Sequence, residues 1–123
     1  MIKLKDLIVE RIDYLDTANQ IIKAYRVQSK VKFTSGSNKA EYDWIRDIIN
    51  LRKSYSTTKD FIISVLHEIH HAIQRKKVGA KKYEKLYVMA GELAQQKGGD
   101  FYKDNPYEKK AERWAKSEAQ KWV

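Results

Sequence analysis

The feature that most constrains the fold is the segment His67-Glu68-Ile69-His70-His71, which lies in a predicted helix. Residues four apart on a helix lie on the same side, about 5–6 Å apart at Cβ. His67 and His71 can therefore bind one metal ion, and Glu68 can act as a general base toward water at that ion. Because catalytic zinc sites usually have three protein ligands, another element must bring the third ligand to this helix.

The metal helix is predicted to span residues 58–77, and Ser56-Thr57-Thr58 provides candidate N-caps. On a helical wheel, His67 and His71 fall outside the apolar stripe, where a histidine of the core would not lie. Both are therefore expected to face a cleft. His70 falls at the edge of the stripe, and we expect it to pack against another element rather than to bind the metal.

The third ligand is predicted on the last helix, which begins at Asn105-Pro106, a preferred N-cap followed by a proline at the first helical position. Glu108 lies among alanines on the apolar side of this helix, and a carboxylate directed at a core needs a partner such as a metal ion. The alternative is a capping box, in which Glu108 accepts a hydrogen bond from the N–H of Asn105. Glu112 is a candidate acceptor for a ligand imidazole, or else a solvated charge on the helix surface.

The rest of the pattern predicts an α+β fold formed as one domain by residues 1–123. Alternating residues over 27–33 and apolar residues over 42–53 predict two or three antiparallel strands that pack on the metal helix. Further helices are predicted over residues 4–25 and from Ala80 to a glycine C-cap at Gly98-Gly99, with an apolar side expected to be core only. The last strand, 47–53, is a candidate edge strand that could pair with an extended peptide.

The amino-acid composition limits which residue types could bind a metal ion and which classes of partner the protein could have. The chain has no cysteine, so any metal must be held by His, Asp or Glu. The apolar runs are too short to span a membrane and no signal-peptide core is visible, so a soluble cytoplasmic protein is expected. The net charge of +9 comes without a nucleic-acid-binding motif, which favours a solvated basic surface over a nucleic-acid partner.

Two segments together resemble the gluzincin metallopeptidases, Val65-Leu66-His67-Glu68-x-x-His71-Ala72-x-Gln74 and Asn105-Pro106-x-Glu108-x-x-Ala111-Glu112. The closest likeness is to the minigluzincins, which are small soluble relatives of the catalytic domains of integral-membrane gluzincins. The likeness extends over roughly residues 40–115. It implies one catalytic zinc ion held by His67, His71 and Glu108, with Glu68 as general base.

The chain departs from that family in two respects. Many gluzincins have Asp where this chain has Glu112. Larger members also carry a subdomain with an oxyanion-stabilising Tyr or His, whereas fifteen residues follow Glu108 here. Tyr102 and Tyr107 are the candidate oxyanion donors, and the enzyme is expected to be latent or weakly active.

The sequence therefore predicts a zinc metalloendopeptidase acting on a peptide or protein substrate. One alternative is a zinc-bearing binding or inhibitory module without significant turnover. Another is a basic nucleic-acid-binding protein in which the histidine motif is accidental. A homodimer is a further hypothesis, because the final helix follows the Gly98-Gly99 hinge and could exchange between two chains.

Overall fold

The computed structural model describes residues 13–35 and 39–122. Within these residues the elements are α1 (Tyr14–Ala24), β1 (Lys30–Thr34), β2 (Ala40–Asp43), β3 (Ile48–Arg52), α2 (Thr58–Val78), α3 (Ala80–Gln96) and α4 (Pro106–Ala119). The predicted α+β class is confirmed. The predicted helix over residues 4–25 lies partly outside the described residues, and its described part contains α1. No helix in the described part of the chain has both the length and the apolar character needed to cross a membrane.

The three strands form one mixed sheet in the order β1-β3-β2. β2 pairs with β3 antiparallel, as predicted, but β1 pairs with β3 in parallel, so the prediction of antiparallel pairing throughout is wrong. The chain reverses direction twice between β1 and β3, because β2 lies between them in sequence but not in space. β3 is therefore the central strand, and the prediction that residues 47–53 form an edge is also wrong. The apolar run Ile48-Ile49-x-Leu51, buried at all three apolar positions, is typical of a central strand.

α2 is the central element of the core. Its N-terminal cap is Thr57, whose side chain accepts a hydrogen bond from the N–H of Asp60. The helix covers the predicted span and packs against α1, the sheet, α3 and α4. Its apolar side is fully buried at Phe61, Ile62, Val65, Leu66 and Ile69.

α4 packs along α2 through a row of small residues. Ala111, Ala115 and Ala119 recur on one side of α4 and are all fully buried, which permits a close approach of the two helices. Asn105 fixes the start of α4: its Oδ1 accepts from the N–H of Tyr107 at 2.9 Å, and its Nδ2 donates to the Tyr87 carbonyl of α3 at 3.1 Å. α4 thus completes the core of its own chain, and its exchange between two chains stays a prediction.

The end of α3 reverses the chain toward α4. Gly98 has φ of 88° and donates to the Gln95 carbonyl, while Gly99 donates to the Ala94 carbonyl, both at 2.9 Å. These two bonds form a Schellman motif, in which the left-handed position favours glycine. The predicted Gly98-Gly99 C-cap is confirmed, and the short turn after it leads directly to Asn105.

Candidate metal centre

Side chains from α2 and α4 converge at one point. The Oε1 atom of Glu108 lies 2.7 Å from Nε2 of His67 and 3.0 Å from Nε2 of His71. The ligand atoms that the three residues offer all lie within 4.8 Å of one another. His67, His71 and Glu108 therefore form a group that could hold a metal ion, and these are the three residues predicted as ligands.

The alternative role of Glu108 in a capping box does not fit its contacts. The N–H of Asn105, which such a glutamate would bind, donates instead to the carbonyl of Tyr102 at 3.2 Å. The Glu108 carboxylate contacts the two imidazoles on one side and the hydroxyl of Tyr87 on the other. The first turn of α4 thus directs this carboxylate toward α2.

The donor set of the cluster suits zinc. Two imidazole nitrogens and one carboxylate oxygen are ligands that catalytic zinc sites use, whereas calcium and magnesium prefer oxygen ligands alone. The cluster also borders a cleft of about 1120 Å³, to which His67, His71 and Glu108 all contribute. A metal held by these residues would therefore keep a side open to water or substrate.

Glu68 lies beside the cluster and is almost completely buried, with 6% of its surface exposed, yet it lines the same cleft. Burial raises its pKa from 4.5 to about 7, because the charged form loses hydration, although the neighbouring imidazoles act in the opposite direction. A carboxyl group with a pKa near 7 can both accept and release a proton at neutral pH. This is the behaviour that a general base requires.

The charges of the cluster stabilise one another. Burial would raise the pKa of Glu108, but hydrogen bonds from His67, His71 and Tyr87 and the charge of His71 outweigh it and lower that pKa. Burial acts to lower the pKa of His67, but the hydrogen bond to Glu108 and the negative charges of Glu68, Glu108 and Glu112 together outweigh it and raise that pKa. The Glu108 carboxylate is therefore ionised at neutral pH, as a metal ligand must be.

Two tyrosines of α3 contact the cluster from behind. The Tyr83 hydroxyl lies 2.8 Å from Nδ1 of His71, and the Tyr87 hydroxyl donates to Oε2 of Glu108. Both side chains are buried, as the apolar pattern of this helix predicts, but that pattern did not indicate their contacts with the site. The available signal was the spacing of the two hydroxyl-bearing residues, one helical turn apart on the buried side.

Glu112 lies near His67, and its role as an acceptor for that imidazole stays a prediction. Its Oε2 is 3.7 Å from Nδ1 of His67, the ring nitrogen that faces away from Glu108. The carboxylate is thus close to the imidazole, although this distance exceeds that of a hydrogen bond.

His70 stands apart from the cluster. Its ring packs against Trp114 of α4 with a centroid distance of 5.2 Å, which agrees with the predicted packing role. Its Nδ1 is buried without a hydrogen-bond partner among the described residues. Burial, reinforced by the positive charge of nearby histidines and lysines, lowers the pKa of His70 to about 4.

The two candidate oxyanion donors lie in different surroundings. Tyr102 lines the cleft and is 65% exposed. Tyr107 is not among the described residues that line the cleft, and its ring packs against Tyr83 and Tyr87 with centroid distances of 5.9 and 6.2 Å. Of the two, Tyr102 is the one that lies on the surface available to a substrate.

The candidate centre thus combines three side chains that could bind a metal ion, a buried glutamate and an open cleft within one small α+β fold. Comparison of the chain with models of protein families, with curated proteins and with solved structures gives no match.

Proposed function

We propose that the protein is a zinc-dependent peptidase of the gluzincin type. The observation that carries the proposal is the convergence of His67, His71 and Glu108 on one point at the cleft, with Glu68 buried beside them. Three protein ligands with an open side are typical of zinc sites that perform hydrolysis rather than only stabilise a fold. The absence of thiolate ligands agrees with this assignment, because structural zinc sites usually contain cysteine.

The residues of the centre divide the chemistry between them. His67, His71 and Glu108 would hold the ion, which supplies Lewis acidity that lowers the pKa of water and polarises a carbonyl group. Glu68 would accept a proton from the attacking water on its carboxylate and pass it to the amine that leaves. In the metal-free protein burial raises the pKa of Glu68 to about 7. The positive charge of a bound ion would lower this pKa and so keep the carboxylate available as a base at neutral pH. Tyr102 is the candidate donor to the developing negative charge on the carbonyl oxygen.

The substrate is proposed to lie along β2 rather than along residues 47–53. β3 pairs on both sides, whereas β2 pairs only with β3 among the described residues, and Ala40, Glu41 and Tyr42 line the cleft. The N–H of Arg52 donates to the carbonyl of Lys39, and hydrogen-bonded positions alternate along an antiparallel pair. The main-chain groups of Ala40 and Tyr42 are therefore those directed away from β3. An extended peptide could pair with them.

A metal-binding module with little turnover is the second candidate function. It is favoured by Tyr102, whose exposed hydroxyl makes no hydrogen bond within the described residues that would fix it beside the metal cluster. A site without a placed oxyanion donor would bind zinc and peptides but would stabilise the transition state poorly.

Both candidates can be tested with one digest. A mixed peptide library is incubated with the zinc-loaded protein, with Glu68→Gln, and with Glu84→Gln, an exposed glutamate of α3 that serves as the matched control. We expect the native chain and the control to cleave peptides, and Glu68→Gln to retain zinc but lose cleavage. Full cleavage by Glu68→Gln would exclude the assigned mechanism. Zinc binding without any cleavage by the native chain, even at high protein concentration, would favour the binding module.

A further inference from the structure

Two of the three proposed metal ligands, Glu108 and His71, have a second hydrogen-bond contact on the side that faces away from the cluster centre. Oε2 of Glu108 accepts a hydrogen bond from Tyr87, and Nδ1 of His71 contacts Tyr83 at 2.8 Å. Such outer contacts orient the ligands of metal sites and set which ligand atom is available. Tyr83 and Tyr87 lie on neighbouring turns of α3. This helix therefore supplies both of the outer contacts to the proposed ligands.

Tyr87 occupies one of the two oxygens of Glu108. The other oxygen, Oε1, is the atom that faces both Nε2 atoms of the histidines. While Oε2 accepts the hydrogen bond from Tyr87, it is less available to bind a metal ion. Glu108 is therefore arranged to act as a ligand through one oxygen only, which preserves an open coordination position.

Tyr83 fixes the other side of the cluster. Its oxygen lies 3.1 Å from Oε1 of Gln74, which can only accept a hydrogen bond. The same Oε1 also lies 3.1 Å from Nδ1 of His71. When the single hydroxyl proton of Tyr83 is donated in the hydrogen bond to Gln74, the tyrosine oxygen can accept a hydrogen bond from the Nδ1–H of His71. That assignment places the ring proton on Nδ1 and leaves the lone pair of Nε2 directed at the cluster.

The two hydroxyls are held in place before any ligand binds. Tyr83 and Tyr87 are 1% and 3% exposed, and the ring of Trp44 packs against both with centroid distances of 6.2 and 5.5 Å. Asn105 also ties the Tyr87 carbonyl to the start of α4, close to Glu108. The positions of the hydroxyls therefore follow from the packing of α3 and not from a mobile surface.

We propose that Tyr83 and Tyr87 are positioning residues of the metal site. Tyr87 keeps Glu108 a one-oxygen ligand, and Tyr83, backed by Gln74, keeps the Nε2 lone pair of His71 directed at the ion. The inference rests on metal binding at this cluster, as the proposed function requires, but does not depend on turnover.

The test measures zinc affinity by competition with a chromogenic chelator for Tyr83→Phe, Tyr87→Phe and the control Tyr25→Phe. Tyr25 is matched to Tyr87, because its hydroxyl also donates to a glutamate of α4, Glu118 Oε1 at 3.0 Å, outside the metal cluster. Loss of an outer contact typically weakens metal binding about 10- to 100-fold. We expect that loss for both site variants and native affinity for Tyr25→Phe, although Tyr25→Phe also removes partly buried hydrogen bonds, one to Glu118 and one from Trp122.

A second readout separates positioning from a general effect on folding. In the cobalt-substituted protein, Tyr87→Phe should free the second oxygen of Glu108 and raise the coordination number, which weakens the visible absorption bands. Should a phenylalanine variant fail to fold, Gln74→Met keeps Tyr83 but removes the acceptor that its hydroxyl shares with Nδ1 of His71, and it should also weaken zinc binding. Native affinity and an unchanged cobalt spectrum in the site variants would overturn the inference while the proposed function stands. A native chain that binds no zinc would instead overturn the proposed function itself.

Discussion

Glu108 is separated from His67 by 41 positions of the chain, yet its Oε1 lies 2.7 Å from Nε2 of that histidine. Two features of α4 produce this contact. The buried row of alanines lets α4 lie close to α2, and the cap at Asn105 fixes where its first turn begins. The candidate site is therefore completed by the docking of α4, and variants that displace the first turn of α4 should affect metal binding and stability together.

Replacing Glu108 with Gln should remove the third ligand while keeping the shape of the side chain. A neutral amide is a much weaker zinc ligand than a carboxylate. Loss of an outer contact weakens metal binding by at most about 100-fold, and we expect Glu108→Gln to weaken zinc binding by more than that. Metal analysis of the purified protein and chelator competition measure this effect. Glu92→Gln, an exposed change on α3, is the control and should keep full occupancy. If Glu108→Gln also kept its full zinc content, Glu108 would not be a metal ligand.

Glu68 should make the stability of the metal-free protein depend on pH. Its pKa is raised from 4.5 to about 7, so the folded state holds this proton more tightly than the unfolded state does. The contribution of this proton to the free energy of unfolding is therefore fully present below pH 4.5 and is lost as pH rises to about 7. The free energy of unfolding should fall over this range by on the order of 3 kcal/mol. Urea denaturation in the presence of a chelator should show that Glu68→Gln lacks this decline and is more stable than the native chain at pH 8.

The control for this experiment is Glu84→Gln, which removes an exposed carboxylate of α3. Its unfolding free energy should follow that of the native chain across the pH range. Parallel curves for the native chain and Glu68→Gln would show that burial does not raise the pKa of Glu68 and would weaken its assignment as general base.

Asn105 should contribute more to stability than an ordinary helix cap. Asn105→Ala removes the acceptor for the Tyr107 N–H and also removes the hydrogen bond from Nδ2 to the Tyr87 carbonyl, at a residue that is fully buried. Loss of a cap costs about 1 kcal/mol, and loss of a second, buried hydrogen bond costs about 0.5–1.5 kcal/mol more. Thr57→Ala, which removes only the exposed cap of α2, should cost about 1 kcal/mol. Equal losses in the two variants, measured by urea denaturation, would contradict a buried bridging role for Asn105.

Local sequence signals predicted the elements that carry the site. The Thr57 cap, the Asn105-Pro106 start of α4 and the Gly98-Gly99 end of α3 each depend on contacts within a few residues, and the structure confirms all three. The inward direction of Glu108 could also be predicted, because a carboxylate among buried alanines needs a partner. These inferences required no knowledge of how distant segments pair.

The order of the strands in the sheet and the hydroxyl contacts of Tyr83 and Tyr87 could not be predicted from local sequence signals. The parallel pairing of β1 with β3 joins segments separated by β2, and several strand orders satisfy the same alternation of apolar residues. The burial of Tyr83 and Tyr87 followed from helical spacing, but their hydroxyl contacts depend on the distance between α3 and two other helices. Sequence spacing on one helix does not specify that distance.

The row of alanines on α4 gives a final test of how docking controls the site. Ala111 lies one turn after Glu108, and Ala119 lies at the other end of the same buried side. A leucine at either position overpacks the contact with the core, which should cost about 1–3 kcal/mol of unfolding free energy in the metal-free protein. Ala111→Leu should in addition weaken zinc binding, because it displaces the turn that carries Glu108, whereas Ala119→Leu should leave zinc affinity nearly native. Urea denaturation and chelator competition on both variants measure the two effects separately. If the two leucines reduced zinc affinity equally, the local position of the first turn would not determine the site, and the effect would reflect general loss of stability.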